Sequence, residues 1–277
     1  MRLHNVARYF DNETVKDGYS GAVLFKAQVR NVNDSSSTGA TLRRRTMSLA
    51  ANLSVPTRRC IALGSQKWIA GLPLIDTFQG KDIRKTYNLK SATNLLKILT
   101  PGQVCANEVG TDAYGHEEYF KDTMNAQADS ELDTFWNVFL APNEPCSQGK
   151  FLRVGSRLLR ARQTYRSPED LLVAQSDELD SDWSQVATFT ELGTYNPITE
   201  TYNGVPVVVN TIQVDVTKFY RWRLLAESEV QPGDRAVFAP LTVTPLAGRN
   251  LTMLGRTWVI RSVQPESDAW ALHVRPV

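Results

Sequence analysis

Apolar residues in this chain come in short runs separated by polar or glycine-containing turns, the pattern of many short β-strands. In the first third the runs at 19–32, 41–53, 59–63, 67–72 and 83–89 predict strands, and Gly64 marks a tight corner between the third and fourth. In the last 130 residues the same pattern predicts strands at 157–165, 171–176, 183–190, 205–214, 218–225, 235–241, 251–254, 257–263 and 270–274. Gln231-Pro232-Gly233-Asp234 and Pro265-Glu266-Ser267-Asp268 are turns by composition. Ser167-Pro168-Glu169-Asp170 suits a helix start as well as a turn, and its strand-like neighbours favour a hairpin. Residues 1–17 are polar and predict an arm or edge segment, and the polar stretch 31–39 predicts an exposed loop.

The pattern changes between residues 101 and 145. Leu132, Phe135, Trp136, Phe139 and Leu140 fall at i, i+3, i+4, i+7 and i+8, the apolar stripe of an amphipathic helix. Ser130 is placed to cap it, Glu131 and Asp133 suit its positive end, and Ala141-Pro142 stops it. This region reads as a linker or insertion that carries one helix.

The chain also repeats itself. An aromatic, a turn and an apolar run at residues 19–25 are followed by Leu63-Gly64-Ser65-Gln66-Lys67-Trp68-Ile69, and the order recurs at residues 202–209 and Leu254-Gly255-Arg256-Thr257-Trp258-Val259-Ile260. A shorter echo, Val154-Gly155-Ser156-Arg157-Leu158-Leu159, has the same strand, glycine, strand order. A repeat of this size predicts one fold used more than once, with Trp68 and Trp258 anchoring equivalent cores. The expected fold is mainly β: two β-barrel or sandwich-like modules, residues 1–100 and 151–277, with the partly helical insertion 101–150 between them.

Length supports that division, since 277 residues suffice for two domains with cores of their own. At 42% apolar and 22% charged the composition is that of a globular protein, and no stretch approaches the roughly 20 apolar residues of a membrane span. The opening Met-Arg-Leu-His-Asn-Val-Ala-Arg lacks the apolar core of a signal peptide, so synthesis in a cytoplasm is expected. Cys60, Cys105 and Cys146 are odd in number and widely spaced, which predicts buried thiols rather than disulfides or a zinc site. Net charge is +2 but uneven: residues 1–100 hold 16 Lys and Arg against 6 Asp and Glu, while residues 101–150 hold 2 against 9. A basic front and an acidic middle suggest head-to-tail contact between copies, or a polyanion near the first module.

Motifs for chemistry are sparse. The sequence shows no nucleophile elbow, phosphate loop, dinucleotide fingerprint or paired-histidine zinc helix, and no cofactor is expected. His4, His116 and His273 stand alone; Gly115-His116-Glu117-Glu118 is a weak metal candidate that reads better as a solvated loop. Asp177, Asp180 and Asp182 lack the glycine and terminal glutamate of a calcium loop and read as a solvated turn. The clearest functional signal is the cluster Arg43, Arg44, Arg45, Arg58 and Arg59, which strand pairing would join to Lys67, Arg84 and Lys85 as a polyanion or partner surface. No base-reading helix or aromatic platform accompanies these arginines, which argues against sequence-specific DNA binding.

The C-terminal segments Gln231-Pro232-Gly233-Asp234, then residues 248–260 with Gly255 before the aromatic strand at Trp258, then Trp270-Ala271-Leu272-His273-Val274-Arg275-Pro276, resemble the small β-barrel proteins of tailed-bacteriophage necks. Those are head-closure, head-tail adaptor and collar proteins. The resemblance implies a structural virion protein: a homo-oligomeric ring around the DNA channel, touching portal or adaptor and tail proteins, located in the neck or tail and free of membrane. It carries over no catalytic residue. The alternatives are a binding module for nucleic acid or charged glycan that uses the arginine cluster, and an enzyme whose site converges only in space.

Overall fold

The computed structural model describes residues 12–32, 44–121, 134–215 and 230–277. Eighteen strands and one short helix account for the regular structure among them, and the strands close into three barrels. The first barrel contains β1 (Asn12–Asp17), β2 (Val23–Val32), β3 (Arg44–Ala50), β4 (Cys60–Leu63), β5 (Gln66–Phe78) and β6 (Lys81–Ala92). The second contains β7 (Asn94–Leu99), β8 (Thr111–Lys121), β9 (Thr134–Leu140), β10 (Phe151–Val154), β11 (Arg157–Arg166) and β12 (Leu172–Glu178), with helix α1 (Pro101–Cys105) between β7 and β8. The third contains β13 (Ser184–Asn196), β14 (Thr201–Asp215), β15 (Arg235–Pro240), β16 (Asn250–Met253), β17 (Arg256–Pro265) and β18 (Ala269–Pro276). No helix among the described residues is long and apolar enough to cross a membrane.

All three barrels share one connectivity. Numbered within its own barrel, each runs 1-2-3-6-5-4 and closes on itself. Two antiparallel three-stranded meanders are thus joined through their first strands' pairing (1 with 4) and their third strands' pairing (3 with 6). Closure leaves no unpaired edge, which is how small all-β units avoid open-ended strand association.

The registers match as well. Leu63 faces Val15 across β4 and β1, and Met253 faces Ala187 across β16 and β13. In the second barrel Leu152 faces Ile98, the same register two residues along. Each fourth strand is entered through the same bond. Ala70 N–H donates to Arg59 C=O, Ala161 N–H to Lys150 C=O and Ile260 N–H to Arg249 C=O, at 2.8, 2.9 and 2.8 Å. A β-bulge follows the equivalent residues Ala70 in β5 and Ile260 in β17. Bulges bend and twist a strand, as closure of a small barrel requires.

This equivalence aligns Trp68, Leu159 and Trp258, all buried, so the repeat runs through the tryptophans rather than the glycines. The hairpin between the fourth and fifth strands turns at Gly64 (φ 59°) and at Gly155 (φ 59°), but at Leu254 (φ 55°) with Gly255 (φ 67°) in the third barrel. Two residues at positive φ make the third turn type I′, where the first two need only one such residue. Tyr19 lies in the β1–β2 turn whereas Tyr202 lies within β14, because the β13–β14 ribbon runs on past the point where the first barrel turns.

The expected two modules are therefore three, and the expected helix is strand β9. Residues 134–140 read Thr-Phe-Trp-Asn-Val-Phe-Leu, a run apolar enough to satisfy both periodicities. Val138 and Leu140 are buried, and Phe139 packs on Ile69, Ala141 and Leu171. The run is rich in aromatic and β-branched residues, and cross-strand pairs Tyr119–Trp136 and Phe120–Phe135 hold it in the sheet. A strand buried on both sides carries no alternation to betray it. The Ser167–Asp170 turn is the hairpin its neighbours suggested. Residues 1–11 of the expected arm, the loop at 33–39 and the expected strand at 218–225 lie outside the described residues.

The chain forms two compact units, one from residues 1–96, 112–147 and 163–175 and the other from 97–111, 148–162 and 176–277. Within the first, Val15, Met47, Ile61, Trp68, Tyr87 and Leu89 fill the first barrel. Within the second, Val237, Leu251, Met253, Trp258, Leu272 and Val274 fill the third barrel, and a further cluster joins Phe151 and Leu158 to Ile212, Ala236 and Phe238. The rings of Phe151 and Phe238 meet edge-on at 5.8 Å. Helix α1 packs on β14 and β15. Its N-cap Thr100 forms a capping box with Gln103.

Candidate functional site

The described side chains of the arginine cluster, Arg45, Arg58 and Arg59, go to separate partners within the chain. Arg43 lies outside the described residues, and Arg44 is described only as a backbone position in β3. Arg45 sits over the Trp68 ring at 5.0 Å and pairs with Glu13 at 3.3 Å. Arg59 adopts φ 51° where the second and third barrels have glycine nearby, and its guanidinium donates to Gly71 C=O at 2.8 Å. Burial depresses its pKa. Arg84 pairs with Asp76 at 2.6 Å, and Lys85 donates to Leu53 C=O at 3.1 Å. Each of these cations thus already serves a ring, a carboxylate or a carbonyl of the same chain.

Arg58 belongs to a different group, built around Tyr19. Its guanidinium lies 3.9 Å from the Tyr19 ring centre, pairs with Glu144 at 3.3 Å and donates to Asp112 C=O. Tyr19 O–H donates to Glu144 at 3.2 Å and accepts from Tyr114 N–H at 3.3 Å, and the two tyrosine rings meet at 5.1 Å. Lys67 caps the group by donating to Gly18 C=O above the Tyr114 ring. Burial and the neighbouring Glu144 carboxylate push the Tyr19 phenol well above its usual range, so it stays neutral. A neutral donor, a buried carboxylate and a half-exposed stacked cation thus brace one another. Sequence reasoning missed the group because its members lie up to 125 residues apart.

A charge constellation of the third barrel joins Asp234, in the turn expected at residues 231–234, to His273 and Arg275 on β18. Asp234 is buried and accepts from Arg275 Nε at 2.9 Å, from His273 Nε2 at 2.7 Å and from Gln231 N–H at 2.9 Å. Burial opposes its charge, but the bonds from Arg275, Gln231 and His273 outweigh that and hold the carboxyl down at about 2. In the second unit Arg160, also buried, lies 4.4 Å from the Phe238 ring and pairs with Glu266 at 3.1 Å. Burial lowers its pKa to about 10, against the pull of Glu266.

The two weak metal candidates resolve into protein contacts. His116 and Glu118 lie on strand β8 rather than in a loop. Glu118 takes Lys90 at 2.6 Å and His116 at 3.4 Å, and Lys90 lies 3.3 Å from the Phe139 ring centre. Burial opposes the Glu118 charge, but His116 and Lys90 hold its carboxyl at about 2. Asp177 is buried beside Arg162 at 3.5 Å, not solvated, and Asp182 accepts from Gln213 at 3.0 Å. Among the described residues no group of His, Cys, Asp and Glu is arranged to hold a metal ion.

The three cysteines are buried and unpaired with one another. Burial pushes the thiols of Cys60 and Cys105 up to about 12, so neither carries thiolate near neutrality. A thiol reagent added to native protein is expected to label none of the three at neutral pH, and all three after unfolding. Rapid labelling of Cys60 or Cys105 in the native state contradicts this.

Beside these charged groups, the described residues expose several large apolar side chains. The β5–β6 ribbon exposes Leu74, Ile75, Phe78 and Ile83 around a turn at Gln79 (φ 50°) and Gly80 (φ 74°). The β13–β14 ribbon exposes Val186, Val205, Val208 and Ile198, the last 90% accessible. Large contiguous apolar patches mark contact sites, whereas apolar residues exposed singly are ordinary. Comparison of the chain with protein-family models, with curated protein sequences and with solved structures gave no match.

Proposed function

We propose that this chain is a structural component of a phage-like particle, assembling with copies of itself into a ring at the head-tail junction and contacting portal or adaptor and tail proteins around the DNA channel. The observation that carries this reading is the threefold use of one closed barrel in shared register, from which ribbons present aliphatic side chains to solvent. A barrel without edges is a rigid block, and rigid blocks with apolar ribbons suit repeated contact between like subunits. The segments that resemble neck proteins are the turn before β15 and strands β16 to β18, the second meander of the third barrel. The polyanion reading draws less support, because Arg45, Arg58 and Arg59 are already committed to Glu13, Glu144 and Gly71.

Light scattering and particle imaging test the proposal. Mixed with the portal and tail proteins of the same particle, the chain is expected to give closed rings with an integral number of copies. A chain that stays single in that mixture overturns the reading.

A further inference from the structure

An amine, a carboxylate and a carboxamide meet on one face of the β8–β9 ladder. Lys90 on β6, Glu118 on β8 and Asn137 on β9 all belong to the first compact unit. Lys90 Nζ lies 2.6 Å from Glu118 Oε1 and 3.3 Å from the centre of the Phe139 ring. Glu118 faces Asn137 directly across the ladder, and His116 faces Phe139. Residues opposite one another in an antiparallel pair share a face, as do residues two apart along a strand. The lysine amine therefore lies over the same small patch as the asparagine amide. That patch is largely closed to water: Asn137 is 7% and the Lys90 side chain 11% accessible, and Phe139 packs on Ile69 and Leu171. Asn137 Oδ1 is buried and meets no hydrogen-bond donor among the described residues. A buried carbonyl left without a donor is costly and calls for a reason.

We propose that Lys90 and Asn137 join in an isopeptide bond, made by the chain on itself with Glu118 as the proton shuttle. The Lys90 ammonium first gives a proton to the Glu118 carboxylate. Neutral Nζ then attacks Asn137 Cγ, and a new C–N bond forms as the Cγ–Nδ2 bond breaks. The second proton of Nζ goes with Nδ2, which leaves as ammonia. Ammonia takes up the proton held by Glu118 and departs as ammonium, which restores the carboxylate. One amide replaces another, no electron is gained or lost, and no co-reactant is consumed. Protonated Glu118 also supplies what Asn137 Oδ1 lacks, an O–H donor from directly across the ladder, where negative charge builds during attack. With its carboxyl held at about 2, Glu118 is a weak base, so the neutral amine is rare and the bond forms slowly. That suffices for a bond made once, because loss of ammonia drives it forward and packing holds the reactants together. The product ties β6 of the first barrel to β9 of the second and restricts the unfolded chain as any cross-link does. The inference goes beyond the ring reading, and either can fail without the other.

Intact mass spectrometry of the purified full chain tests it with no variant needed. After prolonged incubation at neutral pH, wild type is expected to have lost the mass of one ammonia, and its tryptic digest to hold a branched peptide that joins Lys90 to Asn137. Lys90→Arg and Glu118→Gln, each checked for native circular dichroism, are expected to keep the full mass and to unfold at a lower temperature than cross-linked wild type. Folded wild type that keeps its full mass overturns the proposal. So does ammonia lost without the branched peptide, a loss of water that puts the bond on Glu118, or a Glu118→Gln chain that cross-links as fast as wild type.

Discussion

Asp234→Ala is expected to destabilise the third barrel by about 3–5 kcal/mol, the usual cost of removing one partner from a buried charge pair. The carboxylate serves three groups at once: Arg275, His273 and the Gln231 N–H that closes the turn before β15. Alanine leaves the His273 ring, which is buried, without its 2.7 Å acceptor. Asp234→Asn keeps the shape and one acceptor oxygen but loses the charge, so it falls between wild type and alanine. Chemical denaturation monitored by Trp258 and Trp270 fluorescence measures the difference. An alanine variant within 0.5 kcal/mol of wild type, the range of an ordinary surface change, would show the network to be ornamental.

The same group sets an acid limit. The folded carboxyl of Asp234 sits at about 2 against 3.8 for an unperturbed one, and that of Glu118 at about 2 against 4.5. A depressed folded pKa contributes stability that is complete above the unfolded value and is lost as pH falls towards the folded one. Stability from these two carboxylates is thus intact above about pH 5 and declines between about pH 4.5 and pH 2. In Asp234→Asn the part of that decline due to Asp234 is absent. An unchanged acid limb in that variant counts against the assignment.

Trp68→Ala is expected to cost about 3–5 kcal/mol, as large aromatic truncations in packed cores do. Trp68 is fully buried among Met47, Ile61, Tyr87 and Leu89, and its outer side supports the Arg45 guanidinium. The loss therefore combines a cavity with an arginine that has lost the face it rests on. Trp258, its equivalent, also bonds Met253 C=O through Nε1 at 3.0 Å, so Trp258→Ala is expected to cost at least as much. Leu159 occupies the same place in the second barrel with a smaller side chain. Leu159→Ala is expected to lie nearer 2–4 kcal/mol, and the order of the three losses in denaturant unfolding checks the structural alignment itself. A near-zero loss at Trp68 would place the residue outside the core.

The strands of the first and third barrels were legible because their turns carry local chemistry. Gly64 reaches positive φ without a side-chain penalty, and Gln231-Pro232-Gly233-Asp234 announces a turn whatever surrounds it. Predicted strands at 59–63 and 251–254 accordingly lie within a residue or two of β4 and β16. The second barrel was half hidden. Its hairpin Val154-Gly155-Ser156-Arg157 showed as an echo, but β7 and β8 lack alternation and β9 mimics a helix. The arginine cluster was legible as composition and illegible as structure. Arg58 and Arg59 lie in the turn before β4, where Arg59 takes φ 51°, so Arg58 joins Tyr19 and Glu144 while Arg59 turns to Gly71.

The amino-acid sequence on its own determined the β class, the recurring strand-turn-strand unit, the tryptophan anchors and the buried thiols, because each of these follows from side-chain size, backbone freedom or spacing within about ten residues. Only the tertiary structure decided that the unit is used three times, that residues 134–140 are a strand and that Arg45, Arg58, Arg59 and Arg84 have partners within the chain. Those outcomes depend on pairings between segments up to a hundred residues or more apart, such as Tyr19 with Glu144 and Arg160 with Glu266. A local pattern carries no record of which distant strand will lie beside it, and it is that neighbour which fixes whether a side chain meets water, a ring or a counter-charge.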